Sequence, residues 1–488
     1  MKCRLYPKLA FFFDGTGCNL WQELKKPVEK RALTNVAKLY RTAIDDKDGK
    51  EAAAIYIPGV GTPYRYGEYE DDPGGALGLG FGAGGAMRLD AALSRFRYLL
   101  EIEWGSGAIP HMQWITLSVF GFSRGATLAR AFTRRLIATQ CERTADGGLL
   151  WKTRDGGRVR LRILFLGLFD TVASVGGPGL HLAWGDELLV PKEVERCVHF
   201  VSGHEVRQAF PLDSVRNETF YLDNCEEVVY PGVHSDVGGG YFDGFQGRGN
   251  QLSRIALRHM YAEALESGAM LKAFQELKRD DRAEWELPDD SPLIALYTAY
   301  MASLPKLGDT LENLIQAHRV VQFTWRGAIT RARQDTRVLG ALYRQVDAAM
   351  CAAVEPAQDD DREECVSERW EYELPDRPDE QARQLLAEHR RLVWQIPAIR
   401  DPVDENSGDT RLPRRRTGYE DLIIEAWDAT KGKADVPKDI ERFLAEHVHD
   451  SVAHFSSWPC ALYDPRGIFC EQGKYFANAR QPSDALAV

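Results

Sequence analysis

Ser123 lies at the centre of the pentapeptide GFSRG, whose residue types suit nucleophilic catalysis. A short apolar run, residues 114–120, precedes it, and a helix-forming stretch, residues 126–137, follows it. A serine on a tight turn between a strand and a helix forms a nucleophile elbow, which presents the hydroxyl at the carboxyl end of a sheet. Gly121 and Gly125 would allow a strained turn and a close approach of helix and strand. The pattern therefore predicts Ser123 as the nucleophile of an acyl-transfer enzyme.

A serine hydroxyl also needs a histidine base and an acid that orients this base, and α/β-hydrolases carry them in the chain order Ser, Asp, His. Residues 162–170 (RILFLGLFD) indicate a buried strand that ends in Asp170, at the edge where open α/β sheets build their sites. Residues 226–241 give a strand, a Pro-Gly break, His234 and a glycine cluster. We therefore predict Asp170 as the acid and His234 as the base.

Other histidines and aspartates compete for these two roles. His204 lies in a stretch whose apolar spacing predicts a helix, which favours a structural role, and His449 is the later alternative. Asp213 and Asp236 compete with the predicted acid. Asp236 follows the predicted base by only two residues, so it is better placed to hold the loop than to orient the ring.

The amino-terminal strand and turn, residues 8–19 (KLAFFFDGTGCN), predict the rest of an oxyanion hole. A tetrahedral oxyanion needs two N–H donors, one from the residue after the nucleophile and one from a loop at the top of a nearby strand. The first donor would be the Arg124 amide. The second would come from the turn that carries Gly15 and Thr16.

Asp14, at the start of this turn, allows a different interpretation. Haloacid-dehalogenase phosphatases use an aspartate nucleophile in a DxDGT motif, but Phe12 stands where the attacking carboxylate would be. That activity is therefore excluded. A turn-forming Asp14 that accepts a hydrogen bond from its own backbone is the alternative to a catalytic role.

Composition and charge are those of a large globular enzyme. The 488 residues exceed the usual size of one domain, and the formal net charge of −11 argues against a nucleic-acid partner. Nine cysteines without a CxxC pair do not resemble a disulfide framework and indicate synthesis in a reducing cytoplasm. The first residues lack a long apolar signal core, so we expect no cleavable Sec signal. No cofactor or metal is expected.

Alternating strand and helix signals predict an α/β fold with a mainly parallel sheet flanked by helices. We expect an α/β-hydrolase core over residues 1–249. Residues 250–445 predict a mostly helical cap or membrane-contact module, and residues 446–488 a C-terminal segment that packs back on the core. Within the cap, the apolar residues 292–307 suit either a lid helix that admits lipid or a helix packed on the core.

Five segments in this order carry a family resemblance: FFFDGTGCN, the glycine-rich stretch with its following helix, GFSRGATLARAF, GLFDTVASVG and PGVHSDVGGGY. They resemble the α/β-hydrolase domain of the bacterial type VI secretion lipase effectors, in particular the first phospholipase family. The resemblance covers about the first 245 residues and extends to the tail HDSVAHFSSWPCALYD.

The resemblance implies a triad of Ser123, Asp170 and His234 and esterase activity on glycerophospholipids. It implies a cytoplasmic protein in the producing cell that is exported without a Sec signal and acts in the periplasm, at the membrane of a target bacterium. The implied partners are that phospholipid surface, a secretion spike or carrier protein, and a cognate immunity protein. A carboxylesterase or other serine hydrolase with a soluble substrate, and a non-catalytic hydrolase-fold binding protein, remain the alternatives.

Overall fold

The computed structural model describes most of the chain up to residue 333 and shorter parts beyond it. The described residues are 4–46, 51–66, 70–75, 78, 82–104, 109–176, 180–186, 188–207, 209–217, 220–287, 291–333, 396–397, 399–401, 403–404, 412–413, 415–431, 436–451 and 468–471.

The strands and helices alternate along the first part of the chain. The strands are β1 Lys8–Phe13, β2 Ala52–Ile57, β3 Tyr64–Tyr66, β4 Glu70–Asp72, β5 Trp114–Phe122, β6 Cys141–Arg143, β7 Leu149–Lys152, β8 Arg158–Phe169, β9 Cys197–Ser202, β10 Leu212–Asn217, β11 Cys225–Tyr230, β12 Val403–Asp404, β13 Leu412–Pro413 and β14 Ile468–Glu471. The α-helices are α1 Leu20–Glu23, α2 Asn35–Thr42, α3 Gly85–Tyr98, α4 Arg124–Gln140, α5 His234–Gly238, α6 Leu252–Glu266, α7 Arg279–Ala283, α8 Leu293–Ser303, α9 Leu311–Arg333, α10 Gly418–Asp428 and α11 Lys438–Glu446.

The central sheet is mainly parallel. Six strands follow the order β11-β9-β8-β5-β1-β2, and every neighbouring pair among them is parallel. The hairpin of β6 and β7 adds two antiparallel strands, with β7 paired to β8. The fold is thus the predicted α/β-hydrolase-like architecture, in which the carboxyl ends of the parallel strands share one edge.

The sheet is buried on both faces, which explains the continuous apolar runs of its strands. On one face, the ring of Phe11 lies 4.7 Å from that of Phe132 in α4. On the other face, the ring of Phe12 stacks at 4.8 Å on that of Phe120 in the neighbouring strand β5. Because successive side chains of a strand point to opposite faces, β1 supplies both layers of the core.

Helix α6, within the residues 250–445 that the sequence assigns to the cap, packs on the second face of the sheet. Its residues Ile255 and Met260 share one buried cluster with Phe120 and Phe165 of the sheet. The apolar side of this helix therefore adds to the hydrophobic cluster on that face. In the predicted C-terminal segment, β14 pairs in parallel with β10, and the two strands form a small sheet apart from the central one.

The apolar segment 292–307 forms α8, whose residues Leu293, Leu296, Tyr297 and Tyr300 are buried. The ring of Tyr300 stacks at 4.5 Å on that of Phe443 in α11. The sequence allowed either a lid helix or a helix packed on the core, and the buried residues of α8 agree with the second interpretation. Across the described ranges, we find no helix with the length and apolar character that crossing a membrane requires.

Candidate active site

Ser123 occupies the predicted elbow between β5 and α4. Its backbone has φ 58° and ψ −128°, in the left-handed half of conformational space that residues other than glycine rarely adopt. A Cβ atom on Gly121 would lie 2.5 Å from the Cα of Ala126, and one on Gly125 would lie 2.3 Å from the carbonyl oxygen of Phe13. Glycine is therefore required at both positions, and the predicted strand, turn and helix are confirmed.

Asp170 directly follows β8, the strand next to the elbow strand. The Ser123 amide donates to the carbonyl oxygen of Phe169 at 3.0 Å, and the Val172 amide donates to the carbonyl oxygen of Ser123 at 3.3 Å. The residue before Asp170 and the residue two positions after it are thus both hydrogen-bonded to the backbone of Ser123. This pairing places the predicted nucleophile and the predicted acid at the same edge of the sheet.

The Asp170 carboxylate is fully buried, and both of its oxygens accept hydrogen bonds. Oδ1 accepts the Ser202 amide at 2.9 Å, whereas Oδ2 accepts the Ser202 hydroxyl at 2.9 Å and bonds Nδ1 of His234 at 2.6 Å. Because an ionised carboxylate only accepts hydrogen bonds, the His234 proton lies on Nδ1, and the lone pair of the neutral ring lies on Nε2.

The His234 ring lies between two aromatic rings, with centroids 4.6 Å from Phe122 and 5.0 Å from Phe210. Phe122 is the residue directly before the elbow serine. The Nε2 atom is buried and has no hydrogen-bond partner within the described ranges. Burial lowers the pKa of His234, and the charge of Arg207 lowers it further, while Asp170 opposes both effects. The imidazole is therefore held in the neutral form that a general base requires.

A buried ion pair beside His234 escaped the sequence analysis. Glu205 Oε2 accepts the His234 amide at 3.3 Å and the Arg207 Nη2 at 2.9 Å. Burial alone would raise the pKa of Glu205, but the charge and hydrogen bonds of Arg207 lower it to about 2. The guanidinium also lies 3.5 Å from the centroid of the Phe210 ring. The sequence signal for this pair is two opposite charges two positions apart, in a stretch (residues 200–212) without other Asp, Glu, Lys or Arg residues.

The predicted oxyanion-hole residues meet at the base of the elbow. Arg124 begins α4, where a backbone amide has no acceptor within its own helix. Its Nε donates to the Thr16 hydroxyl at 2.6 Å, which connects the elbow to the turn after β1. The Gly15 amide, however, donates to Asp14 Oδ1 at 2.8 Å, so its hydrogen is already engaged. Thr16 is therefore a better candidate than Gly15 for the second donor.

Asp14 is a buried part of this turn. Its carboxylate accepts hydrogen bonds from the Gly15 amide, the Thr34 hydroxyl at 2.7 Å and the Tyr56 hydroxyl. Burial raises its pKa to about 6, against the opposing effect of these hydrogen bonds. These contacts fit the turn-forming interpretation of Asp14.

Among the competing histidines, His204 has both ring nitrogens engaged away from the serine. Its Nε2 bonds the Tyr300 hydroxyl at 2.7 Å, and its Nδ1 accepts the Gly232 amide at 2.9 Å. The predicted helix around it is wrong, because β9 ends at Ser202 and His204 lies in the loop that follows. Tertiary pairing of β9 with β8 and β11 overrides the helical spacing of its apolar residues.

The remaining competitors form pairs of their own. His449 bonds Asp236 Oδ1 through Nδ1 at 2.6 Å, and Asp236 Oδ2 accepts the Val233 amide at 3.0 Å. Asp213 bonds His181 and accepts the Ala173 amide. Neither aspartate is bonded to the His234 ring in the described contacts, whereas Asp170 is. Of the tail segment 449–464, only residues 449–451 lie within the described residues.

Two solved structures are similar to this chain, and the first of them agrees with this fold. A crystal structure of an uncharacterized protein from Pseudomonas aeruginosa is similar with a TM-score of 0.70 and 24% sequence identity, over 96% of this chain and 80% of that chain. A structure of the Tle1 effector bound to the VgrG spike from the type 6 secretion system is similar with a TM-score of 0.41 and 20% identity, over 65% of this chain and 84% of that chain. Comparison with curated proteins gives no match.

One protein-family model also matches the chain. It describes the catalytic domain of Tle1-like phospholipase effectors of the type VI secretion system, and it matches residues 150–263. This segment contains Asp170 and His234, whereas Ser123 lies before it. The predicted resemblance is therefore confirmed, and over this segment the chain is similar to the Tle1-like type VI secretion phospholipase effectors.

Proposed function

We propose that the protein is a serine esterase that hydrolyses the acyl esters of glycerophospholipids. The observation that carries this proposal is the buried Asp170–His234 pair, whose Nδ1 to Oδ2 distance is 2.6 Å, at the sheet edge that also carries Ser123 on a strained elbow. A carboxylate-oriented imidazole, whose Nε2 has no hydrogen-bond partner among the described residues and whose ring packs on the residue before a serine elbow, supports a Ser-His-Asp triad.

In the proposed reaction, His234 Nε2 takes the proton of the Ser123 hydroxyl as Oγ attacks the ester carbonyl carbon. The carbonyl oxygen becomes an oxyanion, which accepts hydrogen bonds from the backbone amides of Arg124 and Thr16. The C–O bond to the glycerol then breaks, and the leaving alcohol receives the proton from Nε2. Water hydrolyses the acyl-enzyme with the same histidine as base, while Asp170 stabilises the imidazolium.

The match of residues 150–263 to the catalytic domain of phospholipase effectors supports the substrate class. A phospholipase of the A type would cleave one acyl ester and leave a lysophospholipid and a fatty acid. Ser123 is only 4% exposed. The proposal therefore requires that the groups covering this serine move before an acyl chain reaches its hydroxyl. Delivery on a secretion spike, action at the membrane of a target bacterium and neutralisation by an immunity protein belong to the same proposal.

Vesicles of phosphatidylethanolamine with different acyl chains at the two glycerol positions would test the activity. Mass spectrometry of the released fatty acid reports both hydrolysis and the position cleaved. Ser123→Ala should stay folded and lose turnover by several orders of magnitude. Ser118→Ala is the matched control, because Ser118 is similarly buried but lies inside strand β5, five residues before the elbow serine.

Two results would replace the proposal. Turnover of short soluble esters without any turnover of vesicles would indicate a carboxylesterase. A wild-type protein that neither turns over esters nor reacts with a fluorophosphonate probe at Ser123 would indicate a non-catalytic binding protein. Wild-type turnover in the Ser123→Ala variant would remove the nucleophile assignment.

A further inference from the structure

The loop that carries His234 depends on two carboxylates for its backbone position. Helix α5 begins at His234 and has only five residues, and the first amides of a helix have no acceptor within it. Asp236 Oδ2 accepts the Val233 amide at 3.0 Å, and Glu205 Oε2 accepts the His234 amide at 3.3 Å. These two bonds fix the backbone from which the imidazole projects.

Both carboxylates also bind residues 449–451, which we call the C-terminal strap. Asp236 accepts the His449 amide at 3.0 Å and bonds its ring Nδ1 at 2.6 Å. Glu205 Oε1 accepts the Ser451 hydroxyl at 3.0 Å. Each carboxylate therefore joins one backbone amide of the histidine loop to the strap.

The middle residue of the strap is held separately. The Asp450 amide donates to Gln246 Oε1 at 2.8 Å, and Gln246 Nε2 donates to the Asp450 carbonyl oxygen at 2.9 Å. All three strap residues are buried, as are both carboxylates. Buried hydrogen-bond networks of this kind hold one geometry, because each group that loses its partner bears the full cost of desolvation.

We propose that the C-terminal strap positions the imidazole of His234, so that His449 and Ser451 are positioning residues for the esterase reaction. The inference rests on the proposed function. The strap residues follow Asp236 by more than two hundred positions, and the described hydrogen bonds link them to the base through Asp236 and Glu205. A shift of about 1 Å in a catalytic group costs up to about 100-fold in rate, so a loosened loop would lower kcat strongly.

The test compares full-length variants on a soluble short-chain ester at a temperature where all are folded. His449→Leu removes the ring donor to Asp236, and we expect kcat to fall about 10- to 100-fold with KM unchanged. His449→Asn places an amide donor where Nδ1 lies, so it should recover kcat to within about threefold of wild type. Ser451→Ala keeps His449, removes the bond to Glu205, and should lower kcat by about threefold to tenfold.

Phe443→Leu is the control for lost stability, because this buried residue packs on Tyr297 and Tyr300 and bonds neither carboxylate. It should lower the melting temperature and leave kcat at the assay temperature unchanged. A second readout that needs no turnover is the downfield proton resonance of the His234 Nδ1–H, assigned by its loss in His234→Gln. It should shift or broaden in His449→Leu and return in His449→Asn.

Wild-type kcat in both His449→Leu and Ser451→Ala, with an unchanged His234 resonance, would overturn the proposal that the C-terminal strap positions His234. An equal loss of kcat in Phe443→Leu would overturn it as well, because lost stability would then explain the effect. Failure of the proposed function has a different signature, namely a wild-type Ser123 that does not react with fluorophosphonate. In that case the His234 resonance alone decides whether the strap orders this loop.

Discussion

Two buried aspartate–histidine pairs lie next to each other in this molecule, and they share almost every local feature. The pair Asp170–His234 and the pair Asp236–His449 each have an Nδ1 to carboxylate distance of 2.6 Å. In each pair, Nε2 of the ring is buried and has no hydrogen-bond partner in the described part of the chain. Geometry within the pair therefore does not separate a base from a structural histidine.

The surroundings of the two rings do separate them. The His234 ring packs on Phe122, the residue before the elbow serine, whereas the His449 ring stacks on Tyr241 at 4.2 Å. Both carboxylate oxygens of Asp236 accept hydrogen bonds from the C-terminal strap or the histidine loop, so this aspartate links the two segments. In the proposed function, His234 acts as the base because its ring packs against the elbow, whereas the Asp236–His449 pair holds the backbone of the loop in place.

The largest expected difference between the pairs comes from neutralising each aspartate. Asp170→Asn would favour the wrong imidazole tautomer, which costs about 10⁴-fold in kcat for a serine triad. Asp236→Asn is the matched variant; it weakens the strap, and a loosened loop costs at most about 100-fold. Steady-state kinetics on a short ester, with thermal melting as the control for folding, would measure both. Equal losses of kcat would contradict the proposal that the Asp170–His234 pair is catalytic and that the Asp236–His449 pair holds the loop in position.

Much of this arrangement could be predicted from sequence because its signals are local. Five consecutive residues specify the elbow, with glycines at the two positions where a Cβ atom would collide with the backbone. Asp170 follows a buried strand, and the carboxyl ends of parallel strands share an edge. Because β5 and β8 are neighbours in the sheet, Asp170 and Ser123 lie at the same edge.

The parts that sequence did not predict depend on distant partners. The ion pair of Glu205 and Arg207 follows a strand whose apolar spacing resembled a helix, and its strap partner Ser451 lies 246 residues further along the chain. Helix α6 has the periodicity of any amphipathic helix, which does not tell whether a sheet or a cap covers its apolar side. No pattern within a short window carries such information.

An intermediate effect should appear in the pH profile of the proposed base. The charged groups around His234 are Asp170, which raises its pKa, and Glu205 and Arg207, which act in opposite directions. Since burial and Arg207 lower the pKa, neutral His234 persists below the ordinary histidine value of about 6.5, and the acid limb of kcat/KM should have its midpoint below that pH. Arg207→Met should raise the pKa of His234 and move the midpoint upward.

Arg207→Lys is the matched control for this shift, because it keeps the positive charge and should leave the midpoint within a few tenths of a unit. Rates on a neutral soluble ester between pH 4 and 8 would measure it, since about four pH units bracket the histidine range. An unchanged midpoint in Arg207→Met would show that this guanidinium does not tune the base.

The smallest effect concerns the ring that packs against the structural histidine. Tyr241→Leu removes the stacking on His449 but keeps both bonds of His449 to Asp236, so the strap should stay in place. Stacked aromatic pairs contribute about 0.5–1.5 kcal/mol, which should appear as a lower free energy of unfolding in denaturant titration, with kcat within about twofold of wild type. A loss of kcat as large as that of His449→Leu would mean that ring packing, rather than the carboxylate bonds, holds the strap. Because Asp236 and Glu205 directly bond the backbone that carries His234, we expect the hydrogen bonds to dominate.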